Sequence, residues 1–192
     1  MAIKTLPKST KGQKLLLLNN KVKLFKIPKT ICLKCHDVYS SKEHFIESEL
    51  LVVRSSAADE DGKSSSSAGE YESILSIPSR DSKKINEAIK AVVASYEKKR
   101  PVLPDDEVII QEMVLETIMS GVIFTHDLNT GAPYYVINYD DQSGLTDTVT
   151  SGNGEYANRT LYIHRNSINQ LKSERFIKLL QAVQELEQVI ES

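Results

Sequence analysis

The spacing of apolar residues predicts one helix more clearly than any other element. Beyond Asp81, apolar side chains recur every three or four positions and stop before the basic run at 98–100. This spacing is typical of a helix with one buried face, begun by a capping aspartate and ended by cations. The predicted buried positions are Ile85, Ala88, Ile89, Val92, Val93 and Tyr96.

Two further helices are predicted nearer the ends of the chain. A short Leu-rich helix lies within 9–24, with Thr10 and Gly12 at its start and Asn19 near its end. The C-terminal segment has apolar residues at helical spacing, which predicts one continuous amphipathic helix. Its apolar stripe comprises Ile168, Leu171, Phe176, Ile177, Leu180, Val183, Leu186 and Ile190.

The remaining apolar segments are short and predict β-strands. They alternate or form compact runs at 30–38, 50–54, 70–77, 108–110, 121–124 and 134–138. The turn residues at 129–131 predict that the last two strands form a hairpin. We therefore expect an α+β fold with mixed or antiparallel sheets and flanking helices, divided into lobes over 1–105 and 106–192.

One long connection interrupts this pattern. Residues 55–69 are mostly Ser, Ala, Asp and Gly and have no apolar period. Loops of this length inside a compact domain are more often functional than idle, because binding loops belong to this class.

Composition narrows the class of protein. The 192 residues are 40% hydrophobic with a net charge of -2, and they include no Trp and only 4 Phe, so the core is expected to be aliphatic. No run of eighteen apolar residues and no secretory signal are present, which predicts a cytoplasmic protein without a membrane partner. The first 36 residues are rich in Lys, but no aromatic platform accompanies them, so we do not favour a nucleic-acid partner.

Both cysteines lie in the segment 32–36, CLKCH, which matches a haem-attachment pattern and half of a zinc site. A structural zinc site needs four ligands, and no second cysteine or histidine pair is present. We therefore favour a strand that contains two thiols, and we assign no metal-binding residue.

Several residues have the chemistry needed to bind a nucleoside triphosphate. Phosphates are bound by backbone N–H groups and by Lys or Arg, usually with magnesium. The small residues at 64–69 would let main-chain amides approach phosphate oxygens, Arg54 leads into that loop, and Lys11 lies near another. A Ser-rich run alone is more often a flexible linker, so this signal is weak without a wider context.

The wider context is a set of motifs in a fixed order. Residues 52–61 and 67–75 have the sequences VVRSSAADED and SAGEYESIL, and residues 120–131 have the sequence SGVIFTHDLNTG. Shorter segments at 10–15, 27–29 and 108–114 have the sequences TKGQKL, IPK and VIIQEMV. Together these motifs resemble the ATP-binding domain of the phosphoenolpyruvate synthase and pyruvate, phosphate dikinase family, over about residues 9 to 165.

The resemblance implies an ATP-grasp-like domain in a phosphotransferase that uses ATP and Mg2+. Members of this family phosphorylate a histidine on a separate carrier domain, and this domain passes the phosphoryl group to pyruvate or another acceptor. Lys11 and Arg54 would bind phosphates, and Gly69 and Ser73 would belong to the loop that covers them. Gln111 would line the nucleotide pocket, and the main chain of Glu112, Met113 and Val114 would hydrogen-bond adenine.

Some family features are absent or altered. Leu128 stands where the family has proline, and residues 143–147, SGLTD, replace a G-L-G-E turn. The family's acidic strand and I-L-Q-x-R-P strand follow the helix that here ends at Ser192, so we expect an ATP-grasp-like domain incomplete at its C-terminus.

No residue is therefore assigned a catalytic role, and the isolated chain is expected to be inactive. The four histidines, at 36, 44, 126 and 164, lie outside anything like the family's carrier motif. A non-catalytic nucleotide- or partner-binding module of the same fold is the alternative. Structural roles also stay open for single residues: Arg54 pairing with Asp59 or Glu60, Gln111 bonding buried backbone, and Met113 as core.

Overall fold

The computed structural model describes residues 9–38, 46–58, 71–146, 148–151 and 159–191, and these form helices and antiparallel sheets. This arrangement confirms the α+β class. The chain divides into two compact units, Met1–Met113 with Glu185–Ser192, and Val114–Gln184. The boundary expected from the sequence is 105/106; in the structure, residues 107–112 pair inside the sheet of the first unit.

The first unit contains a four-stranded antiparallel sheet and two helices. The elements are α1 (Lys11–Asn19), β1 (Thr30–Lys34), β2 (Leu50–Ser56), β3 (Ser73–Pro78), α2 (Ser82–Glu97) and β4 (Glu107–Glu112). The strand order is β1-β4-β2-β3, so β4 and β2 are central. Both central strands are mostly buried.

Helix α2 covers one face of this sheet, as its sequence pattern predicts. The Asp81 side chain caps it by accepting a hydrogen bond from the Lys84 N–H at 3.0 Å. All six predicted apolar positions are buried, with Val92 and Tyr96 at 0% exposure. They share a core with strand residues that include Leu51, Val53, Val108 and Ile110.

The second unit contains β5 (Ser120–Phe124), β6 (Tyr134–Asp140), α3 (Thr148–Ser151), β7 (Arg159–His164) and a 3-10 helix (Arg165–Gln170). Its three-stranded sheet has the order β5-β6-β7. The last helix, α4 (Glu174–Glu191), contributes Phe176 and Leu180 to the core of this sheet. The predicted hairpin of β5 and β6 is confirmed, and Asp127 accepts hydrogen bonds from two turn amides, those of Asn129 and Thr130.

Gly121 allows β5 to approach β6 closely. A Cβ atom added there would lie 2.2 Å from the Asn138 carbonyl oxygen and 3.0 Å from the Tyr139 Cα. Since both of these are backbone atoms, no side-chain movement would relieve the overlap. Glycine at this position is therefore a requirement of the strand pairing.

Several predicted boundaries differ from those in the structure, and β7 is not predicted at all. The C-terminal stripe is not one helix, because Ile168 lies in the 3-10 helix and Leu171 is extended with ψ 137. Strand β1 ends at Lys34, where the Asp37 N–H turns back to the Lys34 carbonyl. Strand β3 starts at Ser73, and β2 and β4 both extend beyond their predicted ends. None of the helices among the described residues has the length and hydrophobicity to cross a membrane.

Candidate functional site

A polar surface lies on the side of the first sheet that faces away from α2. Leu51 and Val53 point into the core beneath α2, so the alternating Arg54 and Ser56 point to the opposite side. The register places Arg54 opposite Ser73 on β3, and antiparallel partners share a face. We call this surface the polar sheet face; it comprises Thr30, Arg54, Ser56, Ser73, Glu107 and Gln111.

Strand β4 contributes the other half of this face. Arg54 lies opposite Ile109. Gln111, two residues further along β4, lies opposite Val52. Arg54 and Gln111 are thus diagonal neighbours, about 7–8 Å apart between their backbones and within reach of long side chains. The sequence motifs place Arg54, Ser73 and Gln111 in one site, and the sheet register brings them to one surface.

The start of α1 lies against the same face. The Gly12 N–H donates to the Ser56 Oγ at 2.9 Å. A Cβ atom added to Gly12 would meet the Cys32 Sγ at 2.6 Å and the Glu107 Oε2 at 3.0 Å. The glycine therefore lets the helix approach the sheet, which brings Lys11, the first residue of α1, beside the polar sheet face.

Glu107 joins α1 to the sheet and was not predicted to have a role. Its side chain is 5% exposed; one carboxylate oxygen accepts from the Thr10 hydroxyl and the other from the Gln13 Nε2 at 3.0 Å. The Lys34 ammonium lies 3.0 Å from the same carboxylate. An acidic run immediately before a buried strand was the available signal, because a carboxylate entering a core requires partners.

The first-turn amides of α1 are already occupied by protein groups. The Gly12 N–H binds Ser56, and the Gln13 N–H binds the Thr10 side chain in a capping box. A phosphate near this helix would therefore be bound by the Lys11 ammonium rather than by these two amides.

The Arg54 side chain is partly buried and forms no hydrogen bond or ion pair within the described part of the chain. Asp59 and Glu60, its possible partners from the sequence, lie outside the described residues. Gln111 is 8% exposed, and its Nε2 donates to the Thr30 hydroxyl at 2.8 Å. Its side chain thus bonds a neighbouring hydroxyl group rather than a buried backbone group.

The other predicted site residues are Ser73, Gly69 and the backbone amides of 112–114. Ser73 is exposed at the first position of β3, and Gly69 lies outside the described residues. The Glu112 N–H donates to the Lys29 carbonyl and the Met113 N–H to the Leu50 carbonyl. Within the described residues the Val114 N–H makes no backbone hydrogen bond, so it is the amide of this segment that remains for a ligand.

Asp106 and Arg100 form a second buried network that the sequence did not reveal. The guanidinium binds the carboxylate through two bonds of 2.7 and 2.9 Å, and Asp106 is 0% exposed. Burial raises the pKa of this carboxyl group, but the Arg100 hydrogen bonds and two backbone N–H donors lower it more, so the net pKa is below 3.8. The carboxylate therefore stays ionised near neutral pH.

The two cysteines are ordinary protonated thiols. Burial is the main cause that raises the pKa of Cys32 to about 11 and that of Cys35 to about 12. A thiolate is the nucleophilic and metal-binding form, so neither sulfur is activated at neutral pH.

The described carboxylates do not form a metal site. Asp140 is nearly buried in the second unit, and hydrogen bonds from Ser143, Gln142 and Thr148 hold its pKa far below the usual range. Arg159 and Arg175 pair with the adjacent Asp141. Across the residues that the structure describes, no three His, Cys, Asp or Glu side chains lie close enough to hold a metal ion.

Comparison with known proteins adds a family match. A family model described as pyruvate phosphate dikinase, AMP/ATP-binding domain, matches residues 14–178. No curated protein matches the chain. The matched range includes β1 to β7 and every predicted site residue except Lys11.

Proposed function

The chain belongs to the family of the pyruvate phosphate dikinase AMP/ATP-binding domain, and we propose that it binds ATP with the phosphates over the polar sheet face. The observation that carries this proposal is the placement of Arg54. No described side chain pairs with this partly buried guanidinium, so it has lost hydration and gained no counter-charge among the described residues, and an anion would supply that charge. Arginine also matches phosphate geometry, since its planar fork donates two hydrogen bonds at once.

The neighbouring groups support a phosphate at this position. Ser73 faces Arg54 across the strand pair and offers a hydroxyl donor. Lys11 adds a second cation at the start of α1, where two backbone amides are already used. Gly69 would complete the phosphate loop. The proposed site thus combines two cations with small donors, the set that a polyphosphate needs.

The base would bind along the end of β4. The Gln111 side chain is fixed by Thr30, which orients its amide on the polar sheet face. Beyond it, the backbone at 112–114 leaves the Val114 N–H for a ring nitrogen of adenine. A base that is bound by main-chain atoms needs no particular side chain. The backbone of Glu112 and Met113 would therefore position the Val114 N–H, and their side chains would have no role in binding adenine.

The Mg2+ that the resemblance implies has no protein ligand set within the described residues, because no suitable cluster of carboxylates or imidazoles is present there. The residues present therefore do not fit a protein-held magnesium ion, and no step of the proposal depends on one.

The finer proposal concerns the phosphoryl acceptor. We propose that the bound ATP phosphorylates a histidine on a separate carrier domain, as the family motifs imply, and that pyruvate or another acceptor receives the group later. The alternative, a nucleotide-binding module without turnover, differs in one measurement. Labelled ATP should yield acid-labile phosphohistidine on the carrier domain when this domain is tested within a longer form that contains the family's remaining strands, and none when the isolated chain is mixed with the carrier domain, whereas the alternative predicts no label in either case.

Calorimetric titration of ATP against the unchanged chain and Arg54→Ala tests the binding site. One charged hydrogen bond contributes about 1.5–3 kcal/mol, so the variant should bind ATP roughly 10- to 100-fold more weakly. Adenosine, which has no phosphate, should lose less than about twofold because it makes no charged hydrogen bond. Arg80→Ala, at an exposed arginine in a turn, is the matched control.

Three outcomes are informative. A selective loss of ATP affinity in Arg54→Ala supports the site. Equal losses for ATP and adenosine, or a large fall in melting temperature with unchanged affinity, would show that Arg54 is structural. No heat of binding from the unchanged chain at millimolar ATP would refute the proposed function itself.

A further inference from the structure

A short chain of hydrogen bonds holds the Gln111 side chain in one orientation. Gln111 on β4 lies directly opposite Thr30 on β1, so the two side chains share the polar sheet face. The Gln111 Nε2 donates to the Thr30 hydroxyl at 2.8 Å, and this hydroxyl donates to the Pro28 carbonyl at 2.7 Å. Each bond in this chain therefore has a defined direction.

The Pro28 carbonyl determines that direction. A carbonyl oxygen can only accept, so the one proton of the Thr30 hydroxyl points to Pro28. The hydroxyl then has only lone pairs for Gln111, and the group that faces it must be a donor. The reverse orientation of the amide would place the Gln111 Oε1 against an oxygen that has no proton to share. The amide therefore keeps its Nε2 toward Thr30 and its Oε1 away from it.

The Gln111 Oε1 is consequently left as a hydrogen-bond acceptor on the polar sheet face. No described residue donates to it, and the atom is not enclosed. Gln111 as a whole is only 8% exposed, so water would compensate poorly for a ligand group that does not match this acceptor.

The backbone beside Gln111 is fixed as well. The Glu112 N–H donates to the Lys29 carbonyl at 2.9 Å, and the Lys29 N–H donates to the Glu112 carboxylate at 3.2 Å. These bonds hold the end of β4 against the chain that enters β1. The acceptor on Gln111 thus has a fixed backbone beneath it as well as a fixed amide.

We propose that Thr30 is a positioning residue that makes Gln111 select a purine with an amino group at position 6, an inference that rests on the proposed function. Adenine has an amino donor at that position, whereas guanine has a carbonyl acceptor there. The Gln111 Oε1 matches the amino group of adenine and opposes the carbonyl of guanine. Thr30 acts through Gln111 and does not itself contact the base.

The selection depends on Thr30 because a glutamine amide carries both a donor and an acceptor. An amide that rotates freely can turn its NH2 group to guanine or its oxygen to adenine, so it discriminates poorly. An amide fixed with its oxygen outward pairs with adenine and is left unpaired by guanine, which is the situation in which polar sites reject an analogue strongly.

Calorimetric titrations of ATP, GTP and inorganic triphosphate with the whole chain test this role. Thr30→Val keeps the β-branched shape that suits a strand and removes the hydroxyl, so the Gln111 amide is free to turn. Thr30→Ser keeps the hydroxyl and is the matched variant. Inorganic triphosphate has no base, so it reports on the phosphate site alone.

The ratio of the ATP and GTP affinities is the quantity that a merely structural role would not change. One hydrogen bond corresponds to about a five-fold change in affinity, so Thr30→Val should lower this ratio by at least about that factor. Thr30→Ser should restore the ratio to within about twofold of that of the unchanged chain, because the hydroxyl is present again. Inorganic triphosphate should bind all three proteins alike.

The outcomes separate this inference from the proposed function. An unchanged ratio in Thr30→Val, or equal affinities of the unchanged chain for ATP and GTP, would overturn the role of Thr30 alone. A lower ratio that Thr30→Ser restores supports it. Failure of the unchanged chain to bind both ATP and triphosphate would refute the proposed function and base selection with it. If Thr30→Val fails to fold, Thr30→Ala, which also lacks the hydroxyl, decides in its place.

Discussion

Replacing Glu107 by Gln tests how α1 is attached to the polar sheet face. Gln has the same shape but no charge, so the bond from the Gln13 Nε2 becomes a neutral one, and the amide NH2 that replaces the other oxygen donates to the Thr10 hydroxyl instead of accepting from it. A charged hydrogen bond contributes about 1.5–3 kcal/mol and a neutral one about 0.5–1.5 kcal/mol, a loss of roughly 1 kcal/mol for each bond. The Lys34 pair adds only about 0.5 kcal/mol, because the Lys34 side chain is 29% exposed and screened by water.

The free energy of unfolding should therefore fall by about 2 kcal/mol. This figure includes the smaller desolvation cost of the neutral side chain, which offsets part of the lost hydrogen bonding. For a chain of this length it corresponds to a fall of roughly 4–8 °C in melting temperature. Scanning calorimetry and urea unfolding measure it, with Glu49→Gln at an exposed position as the matched control. An equally stable or more stable Glu107→Gln protein would show that the buried carboxylate does not stabilise the attachment of α1.

Three other changes give distinct outcomes. Gly121→Ala should destabilise the second unit by about 1–3 kcal/mol in urea unfolding, because its Cβ would overlap the Asn138 carbonyl. Gly131→Ala should cost only about 1 kcal/mol, since it has space for a Cβ and only its φ of +69° opposes a side chain. The lowered pKa of Asp106 means that its stabilising contribution is full above its ordinary 3.8 and is lost as pH falls through the folded pKa. Acid unfolding of Asp106→Asn should therefore depend less steeply on pH below about 4, and an unchanged slope would contradict the pKa shift.

The helical period predicted α2 well but not the C-terminal region. In α2 every apolar position at helical spacing is buried, because the whole segment packs on one sheet face. In the C-terminal region Ile168 and Leu171 fit the same spacing, yet they reach the core from a 3-10 helix and an extended residue. The spacing of apolar residues predicts which side chains are buried, but it does not show that the backbone forms one continuous helix. Ser173 before Glu174 was the missed sign of a new helix start, since the Ser173 carbonyl accepts the first helical bond from Ile177.

The candidate site was predicted in part. Motif order identified Arg54 and Gln111, but only the pairing of β2 with β4 places them on one surface. Such pairing depends on contacts between distant segments, which a local pattern does not contain. The Asp106 pair with Arg100 was missed for the same reason, because neither residue shows from the sequence that it is buried.

The strand order also determines how long β1 stays unpaired while the protein is being synthesised. Among the described strands, β1 pairs only with β4, and 81 residues separate Thr30 from its partner Gln111. At about 5–20 residues per second, the ribosome needs roughly 4–16 s to make that partner after β1 itself. During this interval β1 has no strand beside it, and α1 lacks the Glu107 carboxylate that attaches it. The nascent N-terminal region thus exposes an unpaired strand and a Leu-rich helix, which are the features that chaperones recognise during translation.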